Sequence, residues 1–257
     1  MKIIGIVPAR MAASRFPGKP LHLILGRPMI EHVFERALLY KKWDKLYMAT
    51  CDAEIASFAK KKGYPVIMTS DTHTRALDRV AEAIENSDID IVDEDIVLNV
   101  QGDEPMMSPD MIEAVVEPLI HNQNINGTVL AMDIVSEEQY TNPDILKIIH
   151  DLNGKILYTS RSPIPYTKEF SPELGAKRIY GIFGFKWHLL KKFTQLSESP
   201  LEIKEACDSN RLYDNGLHQH IAPFKYVDSF SVDSPSDAIL VEKSLPKDPI
   251  YGKYSES

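Results

Sequence analysis

Three cations and a hydroxyl share one short stretch of small residues: Pro8-Ala9-Arg10-Met11-Ala12-Ala13-Ser14-Arg15-Phe16-Pro17-Gly18-Lys19-Pro20. Backbone amides in such a loop suit phosphate oxygens, and Arg10, Arg15 and Lys19 can neutralise them. The glycine spacing of a Walker A loop is absent. A solvated basic loop is the other reading. A second segment, Asn99-Val100-Gln101-Gly102-Asp103-Glu104-Pro105, places adjacent carboxylates behind an apolar run. Magnesium typically takes one or two protein carboxylates together with substrate phosphates. Asp103 follows a glycine that permits close approach of backbone and ligand, whereas Glu104 reads equally as a capping or solvated acid. A third segment, Ser231-Val232-Asp233-Ser234-Pro235-Ser236-Asp237, opens a helix with Ser234 as N-cap and Pro235 at its first position. Alone it reads as a cap. Beside the other two segments, Asp233 becomes a candidate second carboxylate for one metal.

The elements that must position these residues alternate. Lys2 to Val7, Lys45 to Thr50, Val66 to Met68 and Asp95 to Val100 read as strands, the first and last as buried apolar runs. Helical spacing covers Met29 to Leu39, Asp52 to Lys62, Ala76 to Glu85 and Pro109 to Ile120. Gly63 suits the C-cap of the second helix, and Ser108 the N-cap of the fourth. This alternation implies a mostly parallel sheet flanked by helices, and such sheets bind ligands at the carboxyl ends of their strands. From about Gly127 the pattern changes. Strands are predicted over Thr128 to Ile134, Leu146 to Asp151, Lys155 to Ser160 and Ile179 to Phe185, with Asp151-Leu152-Asn153-Gly154 as a hairpin turn. They read as a small antiparallel lobe over about residues 127–186, within a single domain of residues 1–257. Helices from Trp187 and from Pro200, capped by Ser199, and a strand over His218 to Pro223 follow. The polar C-terminal tail is expected to fray.

At 257 residues the chain can bury a core without disulfide or metal staples. Hydrophobic residues at 44% and charged residues at 26% exclude wholly disordered, collagen-like and coiled-coil chains. A formal charge of −8, from 29 basic and 37 acidic residues, argues against a non-specific nucleic-acid binder. Cys51 and Cys207 match no zinc or redox spacing and read as reduced thiols of a cytoplasmic protein. The apolar start lacks the pattern of a signal peptide, and no apolar stretch is long enough to span a bilayer. The eight histidines form no evident triad. His73 reads either as a nucleotide contact or as a hydrogen-bonded structural histidine.

The three acid and cation segments, with Arg161-Ser162-Pro163-Ile164-Pro165 and Pro200-Leu201-Glu202 in the same order, resemble the 3-deoxy-manno-octulosonate (Kdo) cytidylyltransferases over nearly the whole chain. The resemblance implies a Rossmann-like, GT-A-like nucleotidyltransferase fold. It implies that CTP and an acidic eight-carbon 2-keto sugar give a CMP-sugar and pyrophosphate, for lipopolysaccharide synthesis. Carried over by position, Arg10 and Lys19 bind the triphosphate and stabilise the leaving pyrophosphate, with Asp103 completing the catalytic set. Pro8, Ala9, Arg15, His73, Arg79 and Gln101 surround the nucleotide. Asp103 and Asp233 hold Mg2+, and Arg161 meets the sugar carboxylate as a planar two-pronged donor. Relatives are usually homodimers, with the antiparallel lobe as the subunit contact.

The chain departs from the family pattern in three places. His73-Thr74-Arg75-Ala76-Leu77-Asp78-Arg79 replaces His, a linker residue, then Ser-Gly-Thr-acid-Arg. Ile179-Tyr180-Gly181-Ile182-Phe183-Gly184-Phe185 lacks the family's His and two tyrosine hydroxyls. Cys207-Asp208-Ser209-Asn210-Arg211 replaces Leu-Glu-Gln-Leu-Arg. Neutral drift with compensating packing is one reading. The other is an altered sugar, since unpaired polar groups in a pocket discriminate strongly. On that reading Phe183, Asp208 and Ser209 join Arg161 at the sugar, Asp208 and Ser209 accept from an ammonium, and the preferred substrate is 8-amino-3,8-dideoxy-manno-octulosonate. The plain octulosonate is the alternative substrate, and a non-catalytic nucleotide-binding module is a more distant one.

Overall fold

A computed structural model describes residues 1–12 and 15–255. Ser14, the hydroxyl of the cationic loop, lies outside them. The chain divides into two compact units, Met1–Glu113 with Asp228–Ser257, and Ala114–Val227.

The first unit starts with strand β1 (Ile3–Ala9), buried along its whole length. A two-stranded hairpin follows, β2 (Leu23–Ile24) and β3 (Arg27–Pro28). Its turn residues Leu25 and Gly26 both have positive φ, 49° and 81°. The sequence reading missed this hairpin because Leu is a poor residue for such a turn. Tertiary burial explains it. Ile24 and Leu25 pack on a cluster with Met29, Val232, Val241 and Leu245.

Helix α1 (Met29–Leu38), strand β4 (Lys45–Thr50), helix α2 (Ala53–Lys62), strand β5 (Val66–Met68), helix α3 (Ala76–Glu85) and strand β6 (Ile96–Val100) complete the alternation. The α2 helix ends at Gly63 in the left-handed region, as a C-cap requires. Strand β1 pairs in parallel with β4 and with β6, and β4 with β5. The order β6-β1-β4-β5 therefore sets the carboxyl ends of β1 and β6 side by side. Helix α4 (Pro109–His121) carries the chain out of this unit.

The second unit holds strand β7 (Gly127–Asp133), helix α5 (Glu137–Thr141), strands β8 (Lys147–His150), β9 (Ile156–Ser160) and β10 (Lys177–Lys186), helices α6 (Trp187–Thr194), α7 (Pro200–Glu205) and α8 (Ser209–Asp214), and strand β11 (His220–Phe224). Pairings β7–β10, β10–β8 and β8–β9 are antiparallel, whereas β11 runs parallel to β7. Helix α7 opens with a full capping box between Ser199 and Glu202. Inside this unit Glu202, fully buried, holds Arg211 through two bonds of 2.8 and 2.7 Å.

Back in the first unit, helix α9 (Pro235–Ser244) starts at Ser234, whose side chain accepts from the Asp237 amide. Helix α10 (Gly252–Ser255) ends the described chain. The expectation of a frayed tail is corrected here. Tyr254 is buried, and its hydroxyl meets His32 Nδ1 at 2.9 Å and Arg36 Nε at 3.1 Å. Arg36 has no exposed surface, so its guanidinium must find partners inside the fold. It takes the Met106 and Met107 carbonyls and the Asp248 carboxylate as well, which docks the tail. No described helix is long and apolar enough to cross a membrane.

Candidate active site

The first unit carries a cavity of about 270 Å3 at the carboxyl ends of β1 and β6. Pro8, Ala9 and Arg10 reach it from the end of β1, and Gln101, Gly102 and Asp103 from the end of β6. Arg15 and Lys19 come from the loop, His73 from the segment before α3, Arg79 from the first turn of α3, and Asp233 from the segment before α9. Every residue expected around the nucleotide and metal thus lines one cavity, as the shared strand ends require.

Local chain geometry explains how Lys19 arrives there. Gly18, at φ 75°, turns the chain into a short 3-10 segment, Lys19–Leu21. The Gly18 amide closes the loop on the Met11 carbonyl at 2.9 Å, and Asp52 Oδ2 accepts from the Met11 amide at 2.8 Å. Gly102 is needed for a different reason. A Cβ there would lie 2.5 Å from the Pro8 carbonyl oxygen and 2.9 Å from Ile30 Cδ1, so no larger residue fits between the two strand ends.

At the acidic end, Lys19 Nζ donates to Asp103 Oδ2 at 2.9 Å, to the Val232 carbonyl at 2.8 Å and to Asp233 Oδ1 at 3.4 Å. Arg15 Nη2 lies 3.1 Å from Asp233 Oδ2. The Val232 amide bonds the Asp103 carbonyl at 2.9 Å, which fixes the two acid-bearing segments edge to edge. Ser231 Oγ donates to Glu104 Oε1 at 2.7 Å, so Glu104 braces this junction and does not line the cavity. Burial alone would lower the Lys19 pKa, but Asp103 and Asp233 together outweigh it and hold it above the ordinary lysine value.

The other end is built on α3. Arg79 is buried, and its Nη1 donates to Thr69 Oγ1 and, at 3.1 Å, to the Ser70 carbonyl. Its Nη2 is buried with no protein partner among the described residues. Arg10 Nη1 reaches the His73 carbonyl at 3.3 Å. Sequence reasoning missed Glu82, which pairs with His73 Nε2 and accepts from the Ser70 amide at 2.9 Å. Burial would raise the Glu82 carboxyl, but the Ser70 amide and His73 outweigh it and leave its pKa below the usual range. Its place on the same helical face as Arg79, at i+3, was the available signal. Thr74, Arg75 and Ala76, noted above only as departures, also line the cavity.

The four residues expected at the sugar all lie in the second unit. Arg161 follows β9, where its Nη1 and Nε donate to the Pro143 and Glu205 carbonyls, each at 2.8 Å. Asp208 stands at the N-terminal boundary of α8 without a side-chain capping bond and is half-buried, Ser209 is fully buried, and Phe183 is buried on β10. Helix α8 is tied to β9 by the 2.8 Å bond between Thr159 Oγ1 and Asn210 Oδ1.

A cation-rich cavity at parallel strand ends, with two carboxylates sharing one ammonium, is the architecture of a nucleotidyltransferase. The comparisons agree. A cytidylyltransferase family profile matches residues 4–221. A 3-deoxy-manno-octulosonate cytidylyltransferase of Thermodesulfovibrio yellowstonii is 38% identical over 95% of this chain and 98% of its own. One of Nitratidesulfovibrio vulgaris is 39% identical over 92% and 93%. A solved CMP:2-keto-3-deoxy-manno-octonic acid synthetase complexed with CTP superposes with a TM-score of 0.84 at 31% identity, covering 96% of this chain and 99% of that one. A Leptospira borgpetersenii cytidylyltransferase, at 17% identity and a TM-score of 0.61, shares the fold. The chain belongs to the cytidylyltransferase family, among the 3-deoxy-manno-octulosonate cytidylyltransferases.

Proposed function

We propose that this chain transfers the cytidylyl group of CTP to 3-deoxy-manno-octulosonate, releasing pyrophosphate and forming the CMP-sugar. The observation that carries this reading is the Lys19 ammonium bridging Asp103 and Asp233 inside the cationic cavity. The anomeric hydroxyl oxygen attacks the α-phosphorus, and the bond from that phosphorus to the oxygen bridging to the β-phosphate breaks. The hydroxyl proton leaves to solvent, and pyrophosphate departs with the electron pair. Arg10, Arg15 and Lys19 offset the charge that builds on the departing group. Gln101, His73 and Arg79 surround the nucleoside, and the buried, unpartnered Arg79 Nη2 offers it a donor. Arg161 receives the sugar carboxylate. Positioning and charge neutralisation supply most of the rate.

The acid pair fits a divalent cation. Asp103 Oδ1 is buried and has no partner among the described residues, so one carboxylate oxygen is left for a ligand. Asp103 and Asp233 would hold Mg2+, which when bound neutralises phosphate charge and polarises the oxygens it binds.

The plain sugar is the reading that the relatives support, because those named above are Kdo cytidylyltransferases. The 8-amino preference finds no such support, and Ser209, offered as an acceptor for the ammonium, has no exposed surface. Pyrophosphate release from CTP and each sugar tests both points. Release with Kdo at a kcat/KM equal to or above that for the 8-amino sugar is expected. No release with either sugar would end the proposal, and a clear advantage for the amino sugar would restore the altered-sugar reading.

A further inference from the structure

Lys147, on β8, has no exposed surface. A buried ammonium is costly unless all its donors are met. Here three backbone carbonyls meet it, Asn142 at 2.8 Å, Ile145 at 2.6 Å and Arg161 at 2.6 Å, and among the described residues no carboxylate does. Glu205 works from the other side. Its Oε1 accepts from Tyr158 Oη at 2.6 Å and Ser160 Oγ at 2.8 Å, its Oε2 accepts from the Arg161 amide at 2.8 Å, and its carbonyl accepts from Arg161 Nε at 2.8 Å. The next residue, Ala206, is held at φ 48°, a conformation that costs a non-glycine residue energy and persists where neighbours over-determine it.

Arg161 is thus fixed at its amide, its carbonyl, Nε and Nη1. Only Nη2 has no protein partner among the described residues. A guanidinium with one free corner and every other group anchored is preorganised for a carboxylate, and such rigidity reduces the ordering cost of binding.

We propose that Lys147 and Glu205 are positioning residues that hold Arg161 with Nη2 presented to the carboxylate of the acidic sugar. The inference rests on the reading of Arg161 given under Proposed function and adds the two groups that make it effective. The charged groups around Lys147 are Arg161 after β9, Glu205 on α7, Arg178 in register across β10, and Asp144 in the loop whose carbonyls it binds. Burial and the Arg161 guanidinium push the Lys147 pKa down to about 8, against the pull of Glu205. An amine that has lost its proton keeps too few donors for three carbonyls. Grip on the sugar should therefore weaken as pH rises through that value.

Steady-state kinetics with CTP and Kdo tests this in the full chain, with Arg161→Ala, Lys147→Met and Glu205→Gln beside the wild type. Lys147→Met and Glu205→Gln are expected to raise the sugar KM about tenfold while kcat and the CTP KM stay within about twofold. A purely structural role would lower kcat through loss of folded enzyme and leave the sugar KM alone. If Arg161→Ala raises the sugar KM and neither Lys147→Met nor Glu205→Gln does, the positioning inference is overturned. If Arg161→Ala leaves the sugar KM unchanged, the reading of Arg161 itself fails and takes the inference with it. Should both core variants fail to fold, Tyr158→Phe removes one donor to Glu205. About a twofold rise in sugar KM is then expected, and an unchanged KM counts against the inference. The wild-type sugar KM should climb above about pH 8, and Lys147→Met should lose that climb. A climb that persists in Lys147→Met removes Lys147 from the proposal.

Discussion

Lys19 Nζ lies 2.9 Å from Asp103 Oδ2 although 84 positions separate the two residues. The same ammonium reaches Asp233, 214 positions away. One side chain therefore ties the first loop, the end of β6 and the segment before α9 into a single electrostatic unit. Its side chain is 14% exposed, so these interactions are screened far less than surface pairs.

Lys19→Met should reduce kcat by about two to three orders of magnitude, the usual loss of a preorganised charge at a departing anion. It also takes from Asp103 its ammonium partner, while Arg15 still faces Asp233. The raised Lys19 pKa means its stabilisation is fully present below the ordinary lysine value of 10.5 and is lost as pH rises through the folded value. Denaturant melts should show a gap between wild type and variant that is constant near neutrality and closes only in strong alkali.

Asp103→Asn should abolish pyrophosphate release while leaving the circular dichroism spectrum intact. Isothermal titration with Mg2+ and CTP should show the metal-dependent part of binding gone. Unchanged turnover in this variant would dismiss Asp103 as a metal ligand.

Gly102→Ala forces a methyl group to 2.5 Å from the Pro8 carbonyl oxygen. Backbone must move, at a cost of about 1–3 kcal/mol. The displaced atoms carry Asp103, so thermal melting and kcat should fall together. An Ala variant with wild-type melting would show that the strand ends are less tightly apposed than the geometry requires.

Glu82 supports the His73 end of the cavity. Its carboxyl pKa is depressed, so it contributes stability above its unfolded value, which is lost as pH falls through the folded value. Glu82→Gln should be less stable than wild type at pH 7, with the difference closing in acid. The CTP KM should rise, since Arg10 contacts the His73 carbonyl.

Glu202→Gln removes a fully buried carboxylate from its paired bonds to Arg211. Breaking one side of such a pair costs about 3–5 kcal/mol. A drop in denaturation midpoint is expected across neutral pH, and a negligible shift would show that Arg211 finds other partners.

The alternation of strands and helices through α4, the strands β7 to β10 with the turn that joins β8 to β9, and the caps at Ser199, Ser234 and Gly63 were legible in the chain, because each depends on local spacing and residue type. The cation loop and the two aspartates were legible as chemistry. Their meeting was not, since it depends on β6 lying beside β1 and on the Val232 amide bonding the Asp103 carbonyl, contacts that no local pattern encodes. Burial likewise decided the β2–β3 hairpin and the docked C-terminal helix. A leucine at positive φ and a polar tail read locally as irregular and frayed, and only the apolar cluster around Ile24 and the partners demanded by buried Arg36 make them ordered. Sequence set which groups were present, and long-range packing chose which of them share a pocket.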